Sequence, residues 1–464
     1  MIQWLWKGMF FVKKLKFLFA LLVGKLICVA VNIIDKERGT NLAGLYACRI
    51  QKDFISHFRG IDCSKVFFIT GTNGKSTTNN MVVHTLRSSG KKVTSNLEGA
   101  NLLYGVAVAF IRDSSLTGKL NSDYFVFETD ERYFPIIYSY LPAKNVCITN
   151  LQKDQVQRNG EPDYIYQKIK SVINKDTVLY VNNEEPRVKS LAKYAGKAVF
   201  YGMERNSKSF EKKDFYDVSL PCPICSDKIV FDYYNVDNVG SFHCCGCDLK
   251  SDESIDFSVT DVDYEKQTFN CKGRKYYVTN TEPFFLYNYA LCTAICHNLG
   301  ISEDEIDKAF RSFKNISGRM ETLNFKSKVI KYIRIKQENP ETLQTALDYI
   351  SQDKTKKIFL LGLEEIKDFE PFYTNTFYAF DCNIDKLIDS NVERYICFSE
   401  AVAHDSANRL IYGGVPKDKI SVLPSDDDDV IMKELDKYDI DNVYLITWLK
   451  KYHELDKYIK NNKE

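Results

Sequence analysis

The chain has 464 residues, of which 63 are basic and 62 acidic, so its formal net charge is +1 at pH 7. This length predicts two or three domains, because a single hydrophobic core stops growing at a smaller size. The near balance of charge, without a polybasic stretch, excludes nucleic acid as an expected partner. Fourteen cysteines are many for an otherwise ordinary composition. Cysteines in such number either form disulfides or bind a metal.

The N-terminal segment, residues 1–34, interleaves aromatic and aliphatic residues with lysines. Its longest apolar run, Phe17 to Ile34, reaches the lower limit of a membrane-spanning length but contains Lys25 near its middle, and no small-residue cleavage site follows. We therefore favour two other interpretations. One is a helix lying in a membrane interface, which gives a peripheral membrane contact, and the other is a helix packed on the first domain. In both, residues 1–60 lead into a central domain.

Apolar runs and amphipathic stretches alternate from residue 61 to residue 322, which predicts a parallel α/β sheet domain. The predicted strands are Val66 to Thr70, Tyr124 to Phe127, Val146 to Thr149, Val178 to Val181 and Ala198 to Tyr201. The predicted helices are Asn79 to Ser89, Tyr287 to Asn298 and Ser302 to Phe313, and residues 253–277 are predicted to form β-hairpins.

Residues 323–464 repeat the alternation and are predicted to form a separate, Rossmann-like α/β domain. The predicted strands are Ile358 to Leu361, Arg394 to Phe398, Lys419 to Leu423 and Val443 to Thr447. The acidic run Asp426 to Asp429 is interpreted as a helix start rather than a metal site, because carboxylates favour the positive end of a helix.

A glycine-rich loop follows the first predicted strand and opens a helix. It consists of Gly71, Thr72, Asn73, Gly74, Lys75, Ser76 and Thr77. Glycines allow backbone N–H groups to surround phosphate oxygens, Lys75 can neutralise the β and γ phosphates of ATP, and the Ser76 hydroxyl can ligate Mg²⁺. The usual motif has glycine at the position of Ile69, so the loop is a variant. Lys75 is a candidate catalytic residue as well as an ATP ligand.

Polar residues also follow two neighbouring strands, at the edge where open α/β sheets bind ligands. Glu128 is a candidate magnesium ligand with a catalytic role. Asn150 and Asp154 are candidates for ordering the triphosphate and the metal-bound water. The alternative is that these residues only cap helices.

Two cysteine pairs, Cys222 with Cys225 and Cys244 with Cys247, have the spacing of zinc knuckles. Each pair presents two thiolates from one tight turn, and together they predict a structural zinc ribbon over about residues 218–252. His243 and Cys245 are alternative ligands, although the spacing favours Cys244 and Cys247. Because an ATP-binding loop belongs with the cytosol, disulfides are not expected, and the protein is placed in the cytoplasm.

The loop and the cysteine pairs together resemble the Mur ligase family, and within it the MurT-type ligases. Further segments resemble this type in the same order along the chain: Asn96 to Asn101, Glu128 to Glu131, Thr149 to Glu161, Asn182 to Pro186 and Gly318 to Met320. The resemblance implies a Mur ligase central ATP-binding domain with an inserted zinc ribbon, followed by a C-terminal α/β domain. It also implies that Asn288 and Arg319 contact the nucleotide, although Arg319 has the alternative of an ordinary surface residue.

The activity implied by the resemblance is that of an ATP-dependent carbon–nitrogen ligase. ATP phosphorylates a substrate carboxylate, and ammonia from a GatD-like glutamine amidotransferase subunit attacks the acyl phosphate. The implied substrate is the α-carboxylate of D-glutamate in the stem peptide of lipid II, a lipid-linked peptidoglycan precursor. The expected location is the cytoplasm, with a peripheral position at the inner face of the membrane through residues 1–34.

The C-terminal third departs from the MurT pattern. Aligning Asp381 with the acidic residue that follows the family motif puts Asn375 where a catalytic aspartate is expected, and asparagine cannot act as a base. Asp368 and Asp381 are candidates to take over the acid and base roles. Two further departures are Glu338, which replaces a lysine of the family, and Phe285, which replaces an asparagine. These changes suggest a divergent member.

Two alternatives to the amide ligase therefore stay open. One is a Mur-type ligase that joins an amino acid to another carboxylate. The other is a non-catalytic ATP-binding scaffold whose third domain recruits a partner at the membrane.

Overall fold

The computed structural model describes residues 2–34, 41–96, 100–153, 161–212, 220–236, 238–313, 320–335, 339–364 and 377–462. The chain divides into two compact units. Unit 1 consists of Met1–Gln152 and Pro162–Lys314, and unit 2 of Lys153–Glu161 and Asn315–Glu464. The domain boundaries placed after residues 60 and 322 from the sequence stay predictions.

Unit 1 is built on a nine-stranded sheet and a smaller three-stranded one. Its strands are β1 (Val66–Thr70), β2 (Val93–Ser95), β3 (Tyr124–Glu128), β4 (Asn145–Ile148), β5 (Val178–Asn182), β6 (Lys197–Met203), β7 (Leu220–Pro221), β8 (Lys228–Val236), β9 (Val239–Cys244), β10 (Phe257–Asp263), β11 (Thr268–Cys271) and β12 (Arg274–Tyr277). Its helices are α1 (Ile2–Ile34), α2 (Leu42–Ile50), α3 (Lys75–Ser88), α4 (Leu103–Asp113), α5 (Phe134–Tyr140), α6 (Pro162–Lys170), α7 (Pro186–Leu191), α8 (Pro283–Asn298) and α9 (Glu303–Ser312).

The large sheet has the strand order β12-β11-β10-β6-β5-β4-β1-β3-β2. The seven strands from β10 to β2 are mutually parallel, and β11 and β12 add an antiparallel edge. Strand β1 is buried along its whole length and is apolar up to its last residue, Thr70, because helices cover both faces of a parallel sheet. One face carries the core shared with α1, α2 and α4 to α7, and the other carries the core shared with α3, α8 and α9. This confirms the predicted central parallel α/β sheet.

The small sheet, β7-β8-β9, is inserted between β6 and β10, which are parallel neighbours in the large sheet. Parallel neighbours need a long crossover connection, which is usually a helix. Here the connection contains three antiparallel strands and the predicted zinc-knuckle cysteines. A small core of its own, formed around Ile229 and Phe242, supports it.

The N-terminal helix α1 packs on unit 1 along one face. Phe17, Ala20 and Leu21 are buried in the core. Lys25 lies at the end of α4, where its Nζ donates hydrogen bonds to the carbonyl oxygens of Ile111 at 2.6 Å and Ser114 at 2.7 Å. Across the ranges described here, no helix has both the length and the apolar character needed to cross a bilayer. Packing on the first domain is thus confirmed, and the membrane-interface contact stays a prediction.

Unit 2 is a second α/β unit with a six-stranded sheet in the order β13-β14-β18-β15-β16-β17, parallel except for the β13–β14 pair. Its strands are β13 (Met320–Phe325), β14 (Lys328–Ile333), β15 (Lys357–Gly362), β16 (Val392–Phe398), β17 (Ile420–Leu423) and β18 (Asn442–Ile446). Its helices are α10 (Pro340–Gln352), α11 (Asp385–Ile388), α12 (Ala403–Tyr412), α13 (Asp428–Asp436) and α14 (Leu449–Asn461). Asp427 caps α13 by accepting hydrogen bonds from the backbone N–H groups of Asp429 and Val430, so the acidic run does begin a helix.

Candidate functional site

The loop between β1 and α3 has the backbone of a phosphate-binding loop. Gly71 and Gly74 have φ values of 125° and 84°, which favour glycine. A Cβ on Gly71 would lie 2.4 Å from Thr149 Oγ1, and one on Gly74 would lie 2.6 Å from Asn288 Oδ1. Helix α3 starts at Lys75, directly after the loop, and Thr77 is buried in its first turn. The sequence placed the helix start four residues late, at Asn79, because the polar first turn hides the helical periodicity.

Residues at the end of β4 hold the loop in place. The backbone N–H of Thr72 donates to the backbone oxygen of Asn150 at 2.8 Å. The backbone N–H of Asn73 donates to Asn150 Oδ1 at 2.9 Å. Asn150 Nδ2 donates in return to the Asn73 oxygen at 3.1 Å. Gln152 adds hydrogen bonds to Thr72, with its backbone N–H 3.0 Å from Oγ1, and to the Asn73 side chain. Asn150 is therefore placed to fix the loop conformation itself.

Lys75 is buried at the centre of the loop. Its ammonium group donates to the backbone oxygens of Gly71 and Thr72 and forms an ion pair with Glu131 Oε2 at 3.0 Å. Glu131 follows β3 and is itself buried. The sequence showed that several acidic residues follow this strand, but it could not tell which of them pairs with the lysine, because that depends on how the chain turns after Glu128.

Ser76 and Glu128 form the second half of the site. Ser76 Oγ donates to Glu128 Oε1 at 2.8 Å. Asn96 fixes the Glu128 backbone on both sides, since its Oδ1 accepts from the Glu128 N–H at 3.0 Å and its Nδ2 donates to the Glu128 oxygen at 2.8 Å. Neighbouring ligands of an octahedral Mg²⁺ with bonds of 2.0–2.1 Å are about 2.9 Å apart. The spacing of these two oxygens therefore fits a magnesium site, and both atom types are ones that Mg²⁺ prefers.

Asn288 approaches the loop from helix α8. Its Oδ1 accepts a hydrogen bond from Thr78 Oγ1 at 3.1 Å, and the residue is buried. Within the described part of the chain, its Nδ2 has no hydrogen-bond partner. A buried amide donor of this kind is costly unless it is satisfied, and a nucleotide offers acceptor oxygens and nitrogens. The residues at the loop thus fit ATP.

The four predicted zinc ligands lie together. The sulfur atoms of Cys222, Cys225, Cys244 and Cys247 all lie within 4.8 Å of one another. The Cys222–Cys247 and Cys225–Cys244 sulfur distances are 3.7 Å and 3.4 Å. Four sulfur ligands about 2.3 Å from a tetrahedral zinc ion are about 3.8 Å apart, so the group fits this metal.

Backbone donors complete each knuckle. The backbone N–H of Ile224 donates to Cys222 Sγ, and that of Gly246 donates to Cys244 Sγ, both at 3.4 Å. Such donors suit sulfur atoms that bind a metal as thiolates. The group of converging ligand atoms includes neither alternative ligand, Cys245 or His243, and His243 instead pairs with Asp232.

The segment after β5 joins this insertion to the large sheet. The Gly240 N–H donates to the Glu184 oxygen at 3.1 Å, and Asn183 Nδ2 donates to the Asp252 oxygen at 2.9 Å. Lys189 forms an ion pair with the Asp252 carboxylate. Burial raises the pKa of Glu184 to about 7, although hydrogen bonds to its carboxylate act in the opposite direction and lower the pKa. These contacts attach the insertion at a position remote in sequence from the glycine-rich loop.

The other residues predicted from the sequence lie either outside the described residues or in unit 2. Asp154, Arg319 and Asn375 lie outside the described residues, as does Asp368. Asp381 belongs to unit 2, at the end of a 3-10 helix, Phe377–Asp381, where it accepts a hydrogen bond from Lys153 Nζ at 3.0 Å. Its predicted catalytic role stays a prediction.

Comparisons with known proteins agree with this architecture. The protein-family models for the Mur ligase middle domain and the MurT ligase C-terminal domain match residues 69–234 and 337–449. The chain is 28% identical over 379 residues to the MurT subunit of lipid II isoglutaminyl synthase (glutamine-hydrolyzing) from Staphylococcus aureus, covering 81% of this chain and 84% of that protein. It is 24% identical over 416 residues to the MurT subunit from Streptococcus pneumoniae, covering 88% and 90%.

A solved structure shows the same fold at lower identity. The pseudomurein peptide ligase type C from Methanothermus fervidus superposes with a TM-score of 0.67 and is 19% identical, over 89% of this chain and 81% of that one.

Proposed function

The chain belongs to the Mur ligase family, whose members are ATP-dependent ligases, and we propose that it forms an amide from a carboxylate and ammonia. The observation that carries this proposal is the set of Lys75, Ser76, Glu128 and Glu131 around a glycine-rich loop, of which all but the exposed Ser76 are buried. It combines a cation for phosphate oxygens with a pair of oxygens for magnesium. The match over residues 337–449 supports a MurT-type ligase in spite of the asparagine at position 375.

The proposed reaction has two steps. An oxygen of the substrate carboxylate attacks the γ phosphorus of ATP, and ADP leaves with the electron pair of the broken P–O bond. The nitrogen of ammonia then attacks the carbonyl carbon of the acyl phosphate, loses a proton, and displaces inorganic phosphate. A carboxylate alone is a poor electrophile, and the phosphate supplies the leaving group that it lacks.

The residues of the loop have distinct roles in this scheme. The backbone of Gly71 to Gly74 binds phosphate oxygens, Lys75 neutralises charge that develops on them, and Asn150 keeps the loop in shape. Ser76 and Glu128 hold Mg²⁺, which stabilises negative charge on the phosphates when it is bound. Asn288 contributes a donor to the nucleotide. We assign contacts with the nucleotide to Asp154 and Arg319. We assign contacts with the acceptor substrate to Asp381 and Asn375.

The cysteine group is proposed to bind a structural zinc ion within a ribbon over about residues 218–252. A closed set of four thiolates leaves no open coordination position for a substrate, so this metal supports the fold rather than the chemistry.

The proposed acceptor is the α-carboxylate of D-glutamate in the stem peptide of lipid II, and the proposed ammonia source is a GatD-like glutamine amidotransferase subunit. The names of the two MurT relatives, which include glutamine hydrolysis and lipid II, support both assignments. A lipid-linked acceptor places the protein in the cytoplasm, at the inner face of the membrane.

The test is phosphate release by the purified chain with ATP, Mg²⁺ and lipid II, with and without ammonium, while the lipid product is followed by mass. We expect ammonium-dependent release and the small mass decrease that results when NH₂ replaces OH. Turnover that needs a free amino acid instead of ammonium would support the amino-acid ligase. Nucleotide binding without turnover in any of these mixtures would support the scaffold.

A further inference from the structure

Helix α1 presents an apolar stripe to solvent. Its large apolar side chains recur at alternating intervals of three and four residues and are between 50% and 61% exposed. They are Val12, Leu15, Phe19, Leu22, Leu26 and Val29. At 1.5 Å per residue the stripe is about 26 Å long. A continuous apolar face of this length is unusual on a protein surface without a partner.

The opposite face of α1 fixes the orientation of the stripe. Phe17 packs against Phe54 and Phe58, with ring centroids 5.4 Å and 5.2 Å away, and Ala20 and Leu21 are buried beside it. Because that face already belongs to the core of unit 1, the helix cannot rotate to bury the stripe without losing these contacts. The stripe therefore needs a partner from outside unit 1.

The charges of the helix indicate the chemistry of that partner. Helix α1 contains no aspartate or glutamate, and Lys13, Lys14 and Lys16 are exposed. At 3.6 residues per turn, Lys14 and Lys16 fall on opposite sides of the stripe. The remaining lysine of the described side chains, Lys25, is held by carbonyl oxygens at the end of α4.

A second copy of the chain would place these lysines next to one another, since like charges would flank both stripes. An anionic lipid surface instead accepts the apolar side chains between its headgroups and attracts the lysines beside them. We propose that the exposed face of α1 is a docking site for an anionic membrane, with the helix lying in the plane of the surface. This lipid-binding activity does not depend on the ligase reaction.

The test is co-sedimentation of the full chain with vesicles of phosphatidylglycerol and phosphatidylcholine. We expect binding that the double substitution Leu22→Gln and Leu26→Gln weakens by roughly tenfold or more, because two leucine side chains lose their burial in lipid. The matched control is Leu116→Gln with Ile136→Gln, which changes two exposed apolar residues elsewhere on unit 1 and should leave binding intact. Thermal unfolding of both variants checks that the fold is kept.

The charge contribution is tested with vesicles of phosphatidylcholine alone and with single lysine substitutions. Lys16→Gln should weaken binding to anionic vesicles by about fivefold, and Lys450→Gln, an exposed lysine of unit 2, should not. Equal binding by wild type and by the double leucine variant would overturn the proposal. So would a stripe-dependent dimer in light scattering without vesicle binding.

Vesicle binding is also expected from a ligase-dead variant, Lys75→Met with Glu131→Gln, which leaves α1 unchanged. Failure of the membrane proposal and failure of the ligase proposal are therefore distinguishable in the same set of proteins.

Discussion

Gly71 and Gly90 separate two reasons why a glycine is needed. Both have positive φ, but a Cβ on Gly71 would overlap Thr149 and Asn150, whereas a Cβ on Gly90 would meet nothing within 4 Å. We expect Gly90→Ala to cost about 1 kcal/mol through backbone conformation alone. Gly71→Ala should cost more and abolish nucleotide binding. Urea denaturation and calorimetric titration with an ATP analogue measure both effects, and equal losses in the two variants would contradict the close approach.

Lys75 and Glu131 cannot be tested separately without a confounding effect on stability. Lys75→Ala should abolish ATP turnover, but it also leaves the Glu131 carboxylate buried without its cation, at a cost of about 3–5 kcal/mol. The double substitution Lys75→Met and Glu131→Gln removes both charges and should recover most of that stability while staying inactive. Turnover and denaturant midpoints measured on both variants separate the two effects. Full activity in the double variant would show that Lys75 is not needed.

At the scale of elements, the cysteine insertion offers a matched pair of substitutions. Cys222→Ser removes a member of the four-sulfur group and should abolish zinc binding, whereas Cys245→Ser changes an exposed thiol outside the group and should retain it. Metal content per chain, measured after dialysis, checks the prediction. ATP binding should survive in both variants, because the loop between β1 and α3 is built from other elements. Retention of zinc by the Cys222 variant would point to a different ligand set.

Helix α1 has a buried face and an exposed one, and two phenylalanines two residues apart report on them. Phe17→Ala should destabilise unit 1 by about 3–5 kcal/mol, because the side chain fills a packed aromatic cluster. Phe19→Ala should change stability by less than about 0.5 kcal/mol. Chemical denaturation distinguishes the two. A large effect of Phe19 on the protein alone would mean that the exposed face is covered by protein in solution.

The elements that could be predicted from the sequence are those with an unambiguous local pattern. The buried strand β1, the hairpin region before α8 and the helix after the acidic run were all located, because apolar runs and charge placement depend on neighbours in the chain. The pairing of Glu131 with Lys75 and the clamp of Asn96 on Glu128 were not. They depend on strand order, which brings together residues far apart in sequence. The orientation of α1 required the same information.

At the scale of the whole molecule, each unit has its own hydrophobic cores and should unfold in its own step. Asp353 serves as a reporter for unit 2. Burial alone would raise its pKa, but hydrogen bonds from Thr355, Asn442 and Tyr444 outweigh this and hold the pKa well below its usual range. The ionised carboxylate therefore stabilises unit 2 above the unfolded pKa of about 4, and this contribution is lost as the pH falls.

We accordingly expect Asp353→Asn to lower only the transition of unit 2, by about 1–3 kcal/mol at neutral pH. The difference from wild type should stay constant above pH 4 and shrink below it. Hydrogen exchange of peptides from β18, measured in urea at several pH values, follows this transition. A pH-independent difference would mean that the carboxylate charge does not carry the effect.

The position of the cysteine insertion bears on how the protein is made in a cell. Strands β1 to β6 leave the ribosome before the insertion, and β10, which completes the parallel sheet beside β6, leaves after it. If the insertion folds around zinc, a chain that lacks the metal carries an unfolded loop between β6 and β10, which adds an entropic cost to the docking of β10 without preventing it. In a cell starved of zinc, the sheet would then be completed more slowly and less ligase would accumulate, although the chains that fold would still bind ATP.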